Sequence, residues 1–254
     1  MKIELIPILA KLRAIYDQPG AMDRYNQYVK LMTEDYGELL PLGDFSPMGL
    51  KQKQYLSELI DLGAEDFGEE ICATTSTELT LANNYRLMLV VLDEPRNGWT
   101  QRYLTEASWR INALPSLGAT GRGLPDDRRQ WVPVQLWTTN DSLEYSPPSF
   151  EYLKQQIRAA IFRAQWKAAN GVPLTLLELL NQEGAAMKFS GEEVAISKIN
   201  LENIKQTLIS LYPATAFPIL FSAMYGDDAS QTVGYTPVGV PSRGGFAFAR
   251  SLTK

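Results

Sequence analysis

Acidic and basic side chains follow directly after an apolar run at residues 87–92, and they are the groups best placed for chemistry. The run has the length and continuity of a strand that is buried on both faces of a parallel sheet. Asp93, Glu94 and Arg96 come immediately after it. Because ligands of open parallel sheets bind outside the carboxyl ends of the strands, we expect this loop to contribute to a site.

A second group of charges belongs to the helix predicted at 99–111. Arg102, Glu106 and Arg110 recur at four-residue spacing and therefore share one helix face. Tyr103 lies beside that row. The arginines are suited to binding an anion, and the carboxylate is suited to acid–base catalysis. The alternative is that these charges form a solvated ladder of ion pairs, preceded by an ordinary turn.

Together the two segments offer three kinds of function. A divalent cation would take oxygen ligands from Asp93 and Glu94. Glu94 and Glu106 are the candidates for general acid or base catalysis. The candidates for binding a small ligand, which we expect to be anionic, are Asp93, Arg96, Arg102, Tyr103 and Arg110.

The chain contains no histidine and a single cysteine, Cys72. This composition excludes a Ser-His-Asp triad, histidine-ligated haem, an iron–sulfur cluster and a zinc site built from histidine and cysteine. It leaves the identity of any cofactor unknown. Cys72 follows acidic residues, which raise the pKa of a thiol, so we interpret it as a buried small residue without a nucleophilic function.

Two other segments carry polar groups, but a structural explanation accounts for each more simply. The glycine-rich stretch 118–123 could wrap an anion with backbone N–H groups, but it matches neither a Walker A sequence nor a dinucleotide fingerprint. A flexible loop is the favoured interpretation. Carboxylates at 178–183, with Lys188, could join a shared site, but a helix that ends at Gly184 explains them as well.

The pattern of apolar residues predicts an α+β fold that is mostly helical and contains a small mixed β-sheet. We expect one globular domain over residues 1–254, with a helical N-terminal part at about 1–75 and an α+β remainder at 76–254. The predicted strands are 85–92, 131–138, a hairpin formed by 187–189 and 194–196, and a terminal strand at 246–249. The predicted helices lie at about 6–16, 22–36, 50–67, 99–111, 150–169 and 175–182 and from residue 200, and 217–224 is ambiguous between helix and strand.

Two further structural expectations concern surfaces. Helical spacing places Met22, Tyr25 and Val29 on the buried face of the second helix. The segment 226–245 is rich in glycine, proline, serine and threonine, so we expect a long surface segment that is partly mobile. Such a segment could dock on a partner or on a second protomer.

Acidic residues outnumber basic residues by 29 to 24, which gives the chain a net charge of −5. This balance argues against nonspecific nucleic-acid binding. The cations Lys154, Arg158, Arg163 and Lys167 are interpreted as a solvated helix face. No apolar run approaches the ~20 residues that cross a bilayer, and residues 1–17 lack the apolar core of a signal peptide. We therefore expect a cytoplasmic protein without a membrane partner.

Two functional hypotheses follow from the sequence. The first is a small-ligand-binding protein or enzyme that uses the carboxylates and arginines of residues 93–110. The alternative is a non-catalytic interaction or scaffold protein, which would include a homo-oligomer. The sequence favours the first hypothesis slightly and identifies neither a substrate nor a reaction.

Overall fold

The computed structural model describes residues 2–34, 39–80, 83–93, 102–111, 131–140, 144–194 and 196–253. Within these ranges it contains eleven helices and a three-stranded sheet, which confirms the predicted α+β class. The chain divides into two compact units. Unit 1 comprises Met1–Thr100 and Ala119–Ala160, and unit 2 comprises Gln101–Gly118 and Ile161–Lys254. The organisation of residues 1–254 as one domain stays a prediction.

The sheet belongs to unit 1 and has the strand order β1-β2-β3. Its strands are β1 (Ile3–Leu5), β2 (Tyr85–Leu92) and β3 (Trp131–Trp137). Both strand pairs are parallel, whereas the sequence predicted a sheet that mixes parallel and antiparallel pairs. An isolated antiparallel bridge joins Thr139 to Tyr145. The sequence analysis missed β1 because three residues are too few to show a period of two.

The two longer strands match their predicted positions closely. β2 is buried along nearly its whole length, as a continuous apolar run in a parallel sheet requires. Pro133 lies in β3, opposite Met88 of β2. Since proline cannot donate a ladder hydrogen bond, its position on a strand at the edge of the described sheet agrees with the expectation from the sequence.

The helices of unit 1 precede and follow the sheet strands in the chain. They are α1 (Leu9–Ile15), α2 (Ala21–Thr33), α3 (Leu50–Asp61), α4 (Ala64–Glu78) and the first half of α6 (Phe150–Asn170). The single helix expected at 50–67 is wrong, because Gly63 adopts a left-handed conformation with φ of 70° and separates α3 from α4. The start of α6 is capped as predicted, with the Tyr152 N–H donating to Ser149 Oγ at 3.3 Å.

The buried face of α2 differs from the predicted face. Tyr28 and Leu31 are buried, whereas Met22 and Tyr25 are 68% and 51% exposed. The Tyr28 hydroxyl donates to Leu42 O at 2.8 Å, which orients the helix toward the following loop. The sequence contained two apolar helical faces one residue apart, and spacing alone did not distinguish them.

The regular elements of unit 2 are all helices within its described residues. It contains α5 (Arg102–Arg110), the second half of α6, α7 (Leu176–Ser190), α8 (Lys198–Ile209), α9 (Phe217–Tyr225), α10 (Asp227–Thr232) and α11 (Gly244–Leu252). The C-terminal helix α11 packs against α7, α8 and α9. A Cβ atom on Gly184 of α7 would lie 2.2 Å from Ala249 O, so α7 and α11 approach at backbone contact. This glycine permits the packing of the two helices.

Three predicted elements in the C-terminal third of the chain are wrong. α7 does not end near Gln182, because Gly184 serves a close helix contact rather than a cap. The predicted hairpin is therefore wrong, since residues 187–189 belong to α7. The predicted terminal strand is also wrong, because residues 246–249 lie in α11. Four residues of alternating pattern do not separate a strand from a helix.

The segment 226–245 is only partly exposed, with nine of its 20 residues exposed and six buried, and specific contacts hold it in place. It begins with α10, and the Asp227 carboxylate accepts hydrogen bonds from three consecutive backbone N–H groups. These N–H groups belong to Val238, Gly239 and Val240, at 3.0, 3.0 and 3.3 Å from Oδ1. Val240 is fully buried. The segment is therefore part of the packed unit rather than a long free tail.

None of the helices in the described ranges is both long enough and apolar enough to span a membrane.

Candidate functional site

Asp93 lies at the carboxyl end of β2, where the sequence placed it. Its Oδ1 accepts a hydrogen bond from Thr138 Oγ1 at 2.6 Å, and Thr138 N donates to Leu92 O at 3.0 Å. Thr138 directly follows β3, so the ends of two parallel strands meet at this pair. Glu94 and Arg96, like the glycine-rich stretch 118–123, lie outside the described residues. The cation site that pairs Asp93 with Glu94 stays a prediction.

Near the ends of the strands and along α3, several hydrogen bonds of unit 1 have uncharged donors. Gln52 Nε2 donates to Val91 O at 3.1 Å, and the Tyr16 hydroxyl donates to Ser46 O at 2.8 Å. The Tyr145 hydroxyl donates to Glu58 Oε2 at 2.6 Å. No group of three or more metal-ligating side chains occurs among the residues that the structure describes. In these contacts an uncharged side chain donates, and the acceptors are backbone carbonyls or the carboxylates of Asp93 and Glu58.

A second and more strongly charged site lies within unit 2. Six ionisable side chains form what we call the charge cluster: Glu106, Arg110, Arg163, Glu183, Glu192 and Arg243. They come from α5, α6, α7, the loop after α7 and the residue before α11. The predicted row on α5 is therefore a buried part of an ionic network and not an exposed ladder. The whole-residue exposures of Arg102, Glu106 and Arg110 are 7%, 4% and 8%.

Glu183 is the centre of the cluster. Its side chain has no solvent exposure, and Arg163 binds it with Nε at 2.8 Å from Oε1 and Nη2 at 2.9 Å from Oε2. Arg110 Nη1 lies 3.3 Å from Oε2, and Gln182 Nε2 donates to Oε1 at 3.2 Å. The carboxylate thus receives donors from three side chains. A bidentate guanidinium contact of this kind fixes both distance and orientation.

Glu106 connects the cluster to the C-terminal helix. Arg110 Nη2 lies 2.7 Å from Glu106 Oε1, one turn along α5, and Arg243 Nη2 lies 3.7 Å from the same oxygen. Arg243 also approaches Glu192 Oε1 at 3.8 Å. The guanidinium carbons of Arg110 and Arg243 lie 5.1 and 5.0 Å from the ring centre of Phe246. Both cations therefore gain cation–π contact as well as ion pairing.

The arginines keep the buried carboxylates ionised. Burial opposes ionisation of Glu183, but Arg163 and Arg110 outweigh it and lower the pKa of Glu183 to about 2. The pKa of Glu106 is also lowered, because Arg110, Arg243 and Arg102 overcome the effect of burial. A carboxylate of this kind holds its charge at neutral pH and is a poor proton donor.

Several buried polar atoms in this region have no hydrogen-bond partner among the residues that the structure describes. They include Glu106 Oε2, Glu192 Oε2, Gln182 Oε1 and the Tyr225 hydroxyl. Tyr225 is fully buried between aromatic rings, stacked on Phe221 and edge-on to Phe246. Burial, with Glu106 nearby, raises the pKa of the Tyr225 hydroxyl well above its ordinary value, so it remains a donor. Leaving such a group unpaired costs about 1–3 kcal/mol.

The charge cluster contains equal numbers of arginines and carboxylates. Arg110, Arg163 and Arg243 face Glu106, Glu183 and Glu192. Arg102, next along α5, also acts on Glu106 through its charge. Several guanidinium groups therefore converge on one buried region, and converging positive groups attract anions.

A separate cleft of about 440 Å³ opens in unit 2. The residues that line it include Asn200, Asn203, Asp227, Asp228, Pro241 and Ser242. Its two carboxylates give it the opposite electrostatic character to the charge cluster. Asp227 already uses one oxygen to hold the loop at 238–240, as described above. We therefore interpret the cleft as a consequence of this loop.

Sequence reasoning identified only part of the charge cluster. Helical spacing indicated Glu106 and Arg110, together with the adjacent Arg102. Nothing in the sequence indicated Glu192, Arg243 or the neighbouring Tyr225. Arg163 was interpreted as a solvated residue, and Glu183 as part of a helix end. The ion pair between Arg110 and Glu183 joins residues 73 positions apart. No local pattern carries that information.

The remaining predicted candidates have structural roles. Glu178 and Thr175 form a capping box at the start of α7, with Thr175 Oγ1 accepting from the Glu178 N–H at 3.3 Å. Cys72 is buried, as expected, and burial raises the pKa of its thiol to about 12. Lys188 is exposed near the end of α7. Glu178, Cys72 and Lys188 therefore add no group to the charge cluster.

The geometry stands without support from relatives. Comparison of the chain with protein-family models, with curated proteins and with solved structures found no match.

Proposed function

We propose that the protein binds a small anionic ligand, with a phosphate or carboxylate group, at the charge cluster of unit 2. The observation that carries this proposal is the convergence of buried arginines next to the Tyr225 hydroxyl, which has no hydrogen-bond partner among the described residues. Oxyanions match both features, because guanidinium groups bind them in a planar, bidentate manner and a phenol adds a neutral donor.

The energetics of burial support a ligand at this position. Removing a charge from water costs several kcal/mol, and arginines recover that cost only when their donors are paired. Buried polar groups in native proteins are almost always satisfied, so each exception calls for a water, an ion or a ligand. An oxyanion would accept a hydrogen bond from the Tyr225 hydroxyl and would also form charge-assisted contacts with the arginines. Water would supply only the first of these contacts.

Glu106 has a defined part in this proposal. Its lowered pKa keeps it ionised, so it would repel an anion placed close to its oxygens and limit the ligand to the arginine side of the cluster. This favours binding over proton transfer by Glu106 near neutral pH. A catalytic role of Glu106 therefore stays a prediction. Ligand binding has to be measured before that role can be tested. The same holds for the assignment of Asp93 and Glu94 to catalysis or metal binding.

The proposal is tested by titration of thermal unfolding with sodium phosphate, sulfate and oxalate, against sodium chloride at matched ionic strength. We expect a saturable rise in Tm for at least one oxyanion, since a ligand at 100 times its Kd stabilises the folded state by about 2.7 kcal/mol. Arg243→Gln should weaken binding about tenfold or more, and Glu106→Gln should strengthen it.

The matched control is Lys205→Gln, which removes an exposed cation from the same unit. Lys205 pairs with Glu202 at 3.7 Å, and its side chain is 47% exposed. We expect its anion affinity to equal that of the unaltered protein. Equal Tm shifts with chloride and with every oxyanion, or an unchanged affinity in Arg243→Gln, would refute the proposal.

A second candidate function is self-association or scaffolding, as the alternative from the sequence suggested. It is supported by exposed apolar side chains at the start of α7, where Val172, Leu174 and Leu177 are 40%, 67% and 39% exposed. Native mass spectrometry separates the two candidates. A homo-oligomer that dissociates in Leu174→Glu would support the scaffold, whereas a monomer that retains a small anionic mass would support ligand binding.

A further inference from the structure

We propose that Lys167 is a reactive amine that condenses with the carbonyl group of an anionic ligand, a phosphorylated or carboxylated aldehyde or ketone. The proposal has two halves. The first half, recognition of the anionic group of the ligand, rests on the proposed function of the charge cluster. The second half, reaction with the carbonyl group, rests on Lys167, so each half can be refuted separately.

The position of Lys167 places it at the edge of the charge cluster. It lies on α6 one turn after Arg163, on the same helix face. Its Nζ donates a hydrogen bond to Trp109 O at 3.1 Å, which brings it against the end of α5. Residues Trp109 and Lys167 both belong to unit 2. The Lys167 side chain is half-buried, so it is shielded without being closed off from a reagent.

Lys167 has no carboxylate partner within ion-pair distance among the described residues. The nearby carboxylate is Glu183, whose oxygens already receive Arg163, Arg110 and Gln182. A shielded ammonium without a counterion is disfavoured, and the neighbouring Arg163 charge disfavours it further. Burial is the main cause that lowers the pKa of Lys167 to about 8, with Arg163 adding to it and Glu183 opposing it.

An amine with these properties is a nucleophile near neutral pH. A desolvated lysine beside another cation is the usual arrangement for condensation with carbonyl substrates. The nitrogen adds to the carbonyl carbon to give a carbinolamine. That adduct loses the carbonyl oxygen as water, which carries away two protons, and leaves a C=N bond. The step needs no oxidant, reductant or metal.

The arrangement favours an anionic carbonyl compound over a neutral one. The arginine side of the charge cluster would hold the phosphate or carboxylate, while the amine at the end of α6 would meet the carbonyl carbon. Holding both groups together raises the effective concentration of the aldehyde at the amine. A neutral aldehyde would react at the intrinsic rate of the amine only.

The test uses two aldehydes that differ in one phosphate group, pyridoxal 5′-phosphate and pyridoxal. Full-length protein is treated with each at pH 7.5, reduced with borohydride to trap the C=N bond, and mapped by peptide mass spectrometry. We expect Lys167 to be labelled by pyridoxal phosphate about tenfold or more faster than Lys188, an exposed lysine on α7. The rate at Lys167 should rise with pH with a midpoint near 8.

Two comparisons separate the halves of the proposal. Inorganic phosphate should slow labelling of Lys167 by pyridoxal phosphate and leave labelling by pyridoxal unchanged. Lys167→Arg should abolish the fast label while retaining phosphate binding in the Tm titration, and Lys188→Arg should preserve the fast label. Circular dichroism of both variants checks that they fold.

Distinct results would overturn each half. Labelling of Lys167 at the same slow rate as Lys188, with a rise only near pH 10, would overturn the reactive amine. Equal and phosphate-insensitive rates with both aldehydes would overturn the anionic ligand and would also contradict the proposed function. Fast labelling that phosphate suppresses would support both.

Discussion

Unit 1 and unit 2 bury their polar side chains in different ways. Within the described ranges, the buried polar residues of unit 1 are all uncharged: Gln52, Thr75, Thr138 and Thr139. Those of unit 2 include four charged ones, which are Arg102, Glu106, Arg110 and Glu183. Uncharged donors join the strand ends of unit 1, whereas buried ion pairs join the helices of unit 2.

The difference follows from the architecture of each unit. Parallel strands satisfy their backbone groups along the ladder and leave apolar surface on both faces, so unit 1 needs only a few neutral donors at the strand ends. Unit 2 brings four helices and a loop together around one point, where their side chains are the only available partners. A network of charges in that setting is strong when complete and costly when one member is missing.

The largest expected effect comes from removing the central carboxylate. Glu183→Leu leaves Arg163 and Arg110 buried without their main partner, so we expect a loss of about 3–5 kcal/mol in the free energy of unfolding. Gln52→Leu in unit 1 removes neutral hydrogen bonds and should cost about 1–2 kcal/mol. Urea denaturation measures both. Glu183→Gln, which retains the shape, should cost less than Glu183→Leu, and a loss no greater than that of Gln52→Leu would contradict the comparison.

The next effect concerns acid. The folded protein holds the pKa of Glu183 at about 2, whereas an unfolded glutamate titrates near its ordinary value. Its stabilisation is therefore present above about pH 4.5 and is lost as the pH falls toward 2, an effect on the order of 3 kcal/mol. Hydrogen exchange by mass spectrometry should show α7 losing protection in this range before β2 does. Equal losses of protection in α7 and β2 would contradict the predicted difference between the two units.

A steric comparison between the units gives a smaller effect. Gly184→Ala places a Cβ atom 2.2 Å from Ala249 O, which is backbone, so we expect a loss of about 1–3 kcal/mol. Gly68→Ala in α4 places it 2.5 Å from Leu5 Cδ1, which is the end of a flexible side chain. Relief of that contact, together with the higher helix propensity of alanine, should leave Gly68→Ala near neutral. Thermal unfolding of the pair tests this ranking.

The smallest predicted effect is at the strand ends. Thr138→Val removes the hydrogen bond to Asp93 and leaves shape and β-propensity unchanged, so we expect a loss of about 1 kcal/mol. Lys205→Gln on the surface of unit 2 should change the stability by less than about 0.5 kcal/mol. If Thr138→Val lowered the free energy of unfolding as much as Glu183→Leu, hydrogen bonds from uncharged donors and buried ion pairs would stabilise this protein equally.

The sequence predicted local features well and long-range ones poorly, and the two units show why. The apolar run of β2 and the spacing of Arg102, Glu106 and Arg110 are both properties of a short segment. The burial of that helical row depends on Arg163 and Glu183, which lie far away in the chain. Their pairing appears only once the helices pack.

Glycine caused the main errors in the predicted elements. The sequence predicts a helix end at Gly184, whereas in the structure Gly184 lies inside α7 and lets its backbone contact α11. The sequence predicts one continuous helix through Gly63, whereas the left-handed conformation of Gly63 separates two helices. The same residue type serves both purposes, and only the neighbouring backbone decides which applies. The C-terminal helices were accordingly the least accurate part of the prediction.

The most direct test of the charge cluster as an anion site is a crystal structure of the protein soaked with selenate, whose selenium gives an anomalous signal. We expect an anomalous peak in unit 2 within hydrogen-bond distance of the Tyr225 hydroxyl and beside Arg243, and we expect this peak to be lost in Arg243→Gln crystals. Peaks confined to exposed lysines and arginines, with the Tyr225 hydroxyl donating directly to Glu106 Oε2, would show instead that the cluster is complete without an anion.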